Sequence, residues 1–131
     1  MTESVQFGHS KMERRSATRR IADIYANIEA ARRYVDGVSR GGFEADDLKQ
    51  QAVLQRLQNA SEAAIRLKAD WPEEYERLER NHPEVEWSML RESGNRYQDD
   101  DQIDIDRVWN DLHGYLCGVQ RALANPGTAP P

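Results

Sequence analysis

Apolar residues in this chain recur at i, i+3, i+4 and i+7 in four separate stretches, and they nowhere alternate with a period of two over a useful length. That pattern restricts the fold to helices that each hide one face, because alternation is what a half-buried strand requires. The first stretch, Ile21, Ile24, Tyr25, Ile28, Ala31, Val35 and Val38, predicts a helix capped by Ser16 or Thr18. The pair Gly41-Gly42 is expected to stop it, supplying positive φ. A second helix is predicted from near Phe43 or Ala45, with Glu44, Asp46 and Asp47 in its first turn, where the helix dipole favours anions. Its inward stripe is Val53, Leu57, Ala60, Ala64, Leu67 and Trp71. Pro72 ends that helix or restarts it as a short segment with Tyr75 and Leu78 inward, and Pro83 marks a turn. A third helix runs from Trp87 to about Tyr97. The fourth carries Ile105, Val108, Trp109, Leu112, Tyr115, Leu116, Val119 and Leu123 behind Asp104 as N-cap. Antiparallel neighbours on short links make an all-α bundle of four to five helices. Residues 1–16 read as a frayed arm, 17–124 as the helical domain and 125–131 as a loose tail.

A formal charge of −5 speaks against holding nucleic acid by bulk electrostatics, but it leaves room for a local basic groove. Lys11, Arg14, Arg15, Arg19 and Arg20 make the N-terminal end basic, either as a solvated arm or as a contact for nucleic acid or an acidic partner. One cysteine, Cys117, excludes an internal disulfide and falls among apolar helical positions, which predicts a packed thiol. No apolar run reaches the roughly 18 residues of a membrane span. The N-terminus has no h-region, so no secretory signal and a cytoplasmic protein are expected. With no Gly-rich phosphate loop, CxxC pair, HExxH or nucleophile elbow, neither a cofactor nor a metal is expected.

Polar chemistry is concentrated between Trp87 and Asp106. Arg91, Asn95 and Arg96 fall on or beside one helical face, as an anion or RNA groove, as polar residues of a dimer interface, or as plain surface. Tyr97 reads as a packing residue. The run Asp99, Asp100, Asp101, Asp104 and Asp106 lacks the glycine and the terminal glutamate of a calcium loop. A solvated acidic loop, a weak divalent site or a docking patch for a basic partner each fit it. His113 lies beside the core positions Leu112 and Tyr115, as a structural histidine would. Trp71, Trp87 and Trp109 fall at helix ends, as core corners.

The order of landmarks resembles a known family. Ile21-Ala22-Asp23-Ile24 and Tyr34 come first, then Leu48, Ala52, Val53 and Leu57, then Ser61-Glu62-Ala63-Ala64. A Pro-x-x-x-Trp turn follows, and Asp104-Ile105-Asp106-Arg107-Val108-Trp109 closes the set. This resembles, over about Arg20 to Leu123, the HepT-like branch of the HEPN superfamily, small all-α proteins often encoded beside a minimal nucleotidyltransferase. The resemblance implies a metal-independent RNase acting as a toxin. It also implies a homodimer in which paired Arg-(four to six residues)-His motifs promote attack of a ribose 2′-OH on the adjacent phosphate. In many members a Tyr two residues after the His is modified with AMP by the partner nucleotidyltransferase, which silences the toxin.

This chain departs from the pattern at those positions. With Trp87 and Asn95 in register, the arginine position is Gly94 or Arg91, the histidine position is Asp99 and the tyrosine position is Asp101. A carboxylate is ionised at neutral pH, so it neither relays a proton there nor tolerates an incoming phosphate. His9, His82 and His113 all lie outside the segment. The residues therefore predict an impaired RNase, with RNA binding weakened by the acidic loop. The alternative is a non-catalytic module that pairs with a nucleotidyltransferase or another protein. The small residues Ala60, Ser61, Ala63 and Ala64 would suit the close approach of a dimer partner.

Overall fold

The computed structural model describes residues 16–126. The expected arm and tail lie outside these residues, apart from Ser16 at one end and Asn125 and Pro126 at the other. Helix α1 spans Ala17–Tyr34; the Ser16 side chain caps it, accepting from the Arg19 N–H at 3.1 Å. Its inward stripe Ile24, Ile28 and Ala31 is buried. The chain then turns at Gly37, whose φ of 72° is the left-handed conformation that glycine adopts without a Cβ penalty.

The turn therefore lies before the glycine pair, not on it. Gly41 and Gly42 are inside a short helix, α2 (Arg40–Glu44), because Ser39 Oγ accepts the Gly42 N–H at 3.0 Å and starts a new capped turn. Phe43 belongs to this helix, and it is fully buried with its ring 5.6 Å from that of Trp109. The next helix, α3 (Asp47–Asp70), starts later than the Phe43 or Ala45 read from the sequence. Asp46 is its N-cap, accepting from Lys49 N at 3.0 Å. Gln50 Nε2 ties α2 to α3 by donating to the carbonyls of Phe43 and Glu44.

Helices α1 and α3 make the most extensive pairing in the fold. Arg20 and Ala63 line one hollow between them, while Asn27 bonds Arg56 farther along, so the two run antiparallel. Helix α4 (Pro72–Asn81) begins with proline at its first position and buries Tyr75 and Leu78. Two short helices follow, α5 (Trp87–Arg91) and α6 (Ser93–Arg96). A hairpin comes next, of β1 (Gln98–Asp99) antiparallel to β2 (Gln102–Ile103). The last two helices are α7 (Ile105–His113) and α8 (Tyr115–Ala124). The fold is an all-α bundle, with a single core shared by α1, α3 and the elements that follow.

Three local features differ from the sequence pattern. The single helix expected over 87–97 breaks at Glu92, where Ser93 Oγ turns back to bond the Met89 carbonyl at 3.2 Å. The helix expected from Ile105 to Leu123 breaks at Gly114, with the apolar stripe continuing on both sides. The acidic loop is pinched into a two-residue-deep hairpin because Asp100 takes up a left-handed conformation (φ 56°), which Asp tolerates better than most residues.

The small-residue stripe of α3 is spent inside the protomer. Ala60, Ser61, Ala63 and Ala64 are all buried, and Ser61 Oγ donates to the Arg91 carbonyl at 2.7 Å. Trp87 is buried, whereas Trp71 and Trp109 only lean on the core. Cys117 is half-buried, its thiol directed at the Leu112 carbonyl 3.6 Å away. Among the described residues no helix is long and apolar enough to cross a membrane.

Candidate functional site

The segment from Trp87 to Asp111 is held in place by its aromatic side chains. Trp87 Nε1 donates to the His82 carbonyl at 3.1 Å, and its ring meets Tyr75 edge-on at 6.2 Å. This anchors α5 against α4 and carries Arg91 to the Tyr75 hydroxyl, to which Arg91 Nε donates at 2.9 Å. The Tyr75 hydroxyl in turn points to the Trp87 carbonyl at 3.4 Å. The guanidinium carbon of Arg91 also lies 5.6 Å over the Tyr75 ring centre, so a cation–π contact accompanies the hydrogen bond.

Arg96 is committed elsewhere. Its Nε donates to Asp111 Oδ2 at 3.0 Å, and the Tyr97 hydroxyl donates to the same oxygen at 2.7 Å. Asp111 is a buried carboxylate on α7, one of few charged groups in the interior. It is the residue that sequence reasoning missed, although its spacing from Val108 and Leu112 places it on the inward stripe. Asn95, by contrast, stands exposed on the outer side of α6. Arg91, Asn95 and Arg96 thus share a short stretch of helix but serve three different environments.

The hairpin carries Asp99, Asp100 and Asp101 into solvent, all three exposed. Asp99 pairs with Gln102 across the strands, and the Asp104 N–H closes the hairpin on the Tyr97 carbonyl at 2.8 Å. Asp104 caps α7 by accepting from Arg107 N at 3.1 Å, and Asp106 pairs with Arg40. The acidic run is therefore partly used in starting and pinning α7. No group of three or more His, Cys, Asp or Glu side chains converges as a metal site among the described residues.

Neither described histidine joins the segment's arginines. His82 is buried and bonded through Nε2 to the Asn125 carbonyl at 2.8 Å, which makes Nε2 the protonated nitrogen. His113, expected beside the core, is exposed on α7, with Nδ1 on the Trp109 carbonyl at 2.8 Å and its ring 4.1 Å from the Trp109 ring. His9 lies outside the described residues.

The electrostatics follow from this packing. Burial raises the Tyr97 hydroxyl well above the ordinary tyrosine range, and the neighbouring Asp111 carboxylate adds to it. Burial also raises Tyr75, against the opposing pull of Arg91, and raises Tyr115, whose hydroxyl donates to the Glu86 carbonyl at 2.6 Å. For Arg96 burial acts downward but is outweighed by the bond to Asp111, so the guanidinium is held above its usual value. These tyrosines are neutral in the folded state at a pH where the unfolded chain, with tyrosine pKa near 10, has lost their protons. Above pH 10 the unfolded state binds fewer protons than the folded one, and stability falls as pH rises. Tyr97, fully buried, by itself gives a slope of about 1.4 kcal/mol per pH unit, and Tyr75 and Tyr115 add to it in the same direction. Urea midpoints at pH 8.5, 10.5 and 11.5 are expected to decline most steeply across the upper interval, with Tyr97→Phe making the decline shallower. A flat profile between pH 10 and 11.5 would contradict the buried phenols.

The site thus combines an exposed acidic hairpin with two arginines tied to buried hydroxyl and carboxylate partners. No curated protein and no solved structure matches the chain. The family model described as ribonuclease HepT-like matches residues 24–124. That match takes in every helix from the middle of α1 to the end of α8, with the Arg91–Asp101 segment inside it, and the chain belongs to the HepT-like ribonuclease family.

Proposed function

We propose that this chain is an RNA-directed HepT-like protein of a toxin–antitoxin type system whose cleavage centre is chemically impaired. In this reading it acts in the cytoplasm as a homodimer and pairs with a minimal nucleotidyltransferase. One observation carries the reading. The positions where the family has its His and Tyr hold Asp99 and Asp101, both exposed, while Arg91 and Arg96 are spent on Tyr75 and Asp111. Cleavage by a ribose 2′-OH requires a group that takes its proton near neutral pH and a cation for the charge that builds on phosphorus. An ionised carboxylate at position 99 can accept a proton only weakly, repels the phosphate, and has no proton to return to the leaving oxygen. With α3's small-residue stripe buried in the protomer, the dimer of this reading must use another face.

The second reading is a non-catalytic module that pairs with the nucleotidyltransferase without touching RNA, and the net charge of −5 together with the exposed acidic hairpin favours it. Expression alone and together with a minimal nucleotidyltransferase, scoring growth and tRNA integrity, separates the two. The impaired-RNase reading expects little or no tRNA cleavage but measurable binding of RNA by the purified chain. Rapid cutting that leaves 2′,3′-cyclic phosphate ends would overturn it. Absence of RNA binding with a stable nucleotidyltransferase complex would select the second.

A further inference from the structure

The outer edges of α1 and α3 enclose a polar hollow lined by Arg20, Asp23, Asn27, Arg56, Asn59 and Glu62. Its two carboxylates have cationic neighbours just outside it: Asp23 lies 3.8 Å from Arg19 Nε, and Glu62 lies 3.0 Å from Arg66 Nη2. The hollow's two carboxylates are thus each paired with an arginine outside it, while Arg20 and Arg56 stand within it.

The donors are arranged as well as numerous. Asn27 acts as a bracket: its Nδ2 donates to the Asp23 carbonyl at 2.8 Å, and its Oδ1 accepts from Arg56 Nη1 at 3.3 Å, holding that guanidinium at the hollow. Gln55 Nε2 donates to Asn59 Oδ1 at 2.9 Å, which leaves the Asn59 amide to offer its N–H groups. Arg20 Nε is buried and has no hydrogen-bond acceptor among the described residues. A buried cationic donor without an acceptor is rare in folded proteins, and a small shift of the Arg20 side chain toward an anionic oxygen in the hollow would satisfy it. Arg20 and Asn27 stand about two helical turns apart, roughly 10 Å along α1.

We propose that the α1–α3 groove is a phosphate-binding track for single-stranded RNA, with Arg20 and Arg56 contacting phosphates at its two ends and Asn59 donating between them. It is separate from the acidic hairpin, whose exposed carboxylates repel the same backbone. This inference rests on the RNA-directed reading above, and it supplies that reading with a binding surface that the 91–101 segment lacks.

The test is fluorescence anisotropy of a labelled single-stranded oligoribonucleotide with the full chain, titrated across a salt series. Arg20→Glu with Arg56→Glu is expected to weaken binding at least tenfold. Loss of two phosphate contacts should also reduce the slope of log affinity against log salt by about 1.4. Arg77→Glu with Arg80→Glu, which changes net charge equally on exposed positions of α4, is expected to stay within about twofold of wild type once the common charge effect is screened at moderate salt. Circular dichroism melts confirm that both variants fold, and Arg56→Lys, which keeps the charge, should retain most of the affinity. Equal loss in both double variants, or none in the groove variant, overturns the track while leaving the RNA-directed reading intact. A wild-type chain that binds no RNA overturns both. Loss of nucleotidyltransferase pairing with RNA affinity unchanged would make the groove a protein interface and overturn the proposal.

Discussion

Gly94→Arg, Asp99→His and Asp101→Tyr introduced together are expected to convert the chain into an RNase that leaves 2′,3′-cyclic phosphate ends. Cleavage should rise on the order of 10²–10⁴-fold above wild type, the range that a positioned acid–base group contributes. The arginine has to be added because those already present are engaged, Arg91 on Tyr75 and Arg96 on Asp111. Position 94 admits it. A Cβ there meets only Ser61 Oγ, at 3.8 Å, an ordinary contact, and Gly94 is not among the positive-φ glycines. A histidine at 99 titrates near pH 6.5 and can both take and return a proton at neutral pH. Asp99→His with Asp101→Tyr alone should strengthen RNA binding without restoring cleavage. At roughly 6 Å each carboxylate–phosphate repulsion is about 1 kcal/mol on solvent-exposed groups, so removing two gains on the order of tenfold in affinity after screening. Binding and cleavage are therefore measured separately, by anisotropy and by gel analysis of labelled tRNA. A triple variant that binds tightly yet never cuts would show that changing these three positions is not enough to make a cleaving site.

Asp111→Ala is expected to be the most damaging single change in the segment. It leaves the Tyr97 hydroxyl, fully buried, without its acceptor and strips Arg96 of its partner. Removing one member of a buried ion pair with its hydrogen bonds costs about 3–5 kcal/mol, and the lower figure suits Arg96, whose side chain is 23% exposed. For a domain of this size that is a drop of about 10 °C in melting temperature. Asp111→Asn keeps an acceptor for Tyr97 and should cost less. Tyr97→Phe removes one bond but leaves the ion pair, and should cost about 1 kcal/mol. Chemical denaturation of the three variants checks the ranking. A cost for Asp111→Ala below that of Tyr97→Phe would mean that the carboxylate is not the anchor of this region.

The helices were legible in the sequence because burial of a helix face is a local, periodic property. Ile24, Ile28 and Ala31, then Val53, Leu57, Ala60, Ala64 and Leu67, are buried as their spacing implies. Ser16 and Asp104 are N-caps because a short side chain can reach an N–H three residues on without help from the rest of the fold. The family was legible for a related reason, since an ordered set of landmarks spread over the chain does not depend on any single residue. Local competition was harder to read. Ser39 drew Gly41 and Gly42 into a helix and left the turn to Gly37, and Asp100 closed a hairpin in a stretch expected to be only a loop.

What the sequence by itself determined was therefore which faces turn inward and to which family the chain belongs. Only the tertiary structure decided what the polar groups do. Arg91 meets Tyr75 across sixteen residues and Arg96 meets Asp111 across fifteen, each pair joined by a connection whose path no periodicity encodes. Arg56 reaches Asn27 across twenty-nine residues because α1 and α3 pack antiparallel. A hydrophobic stripe is indifferent to which apolar neighbour covers it, so its pattern can be read locally. A buried charge or hydroxyl must find one particular partner at hydrogen-bonding distance, and that partner is chosen by how the helices assemble.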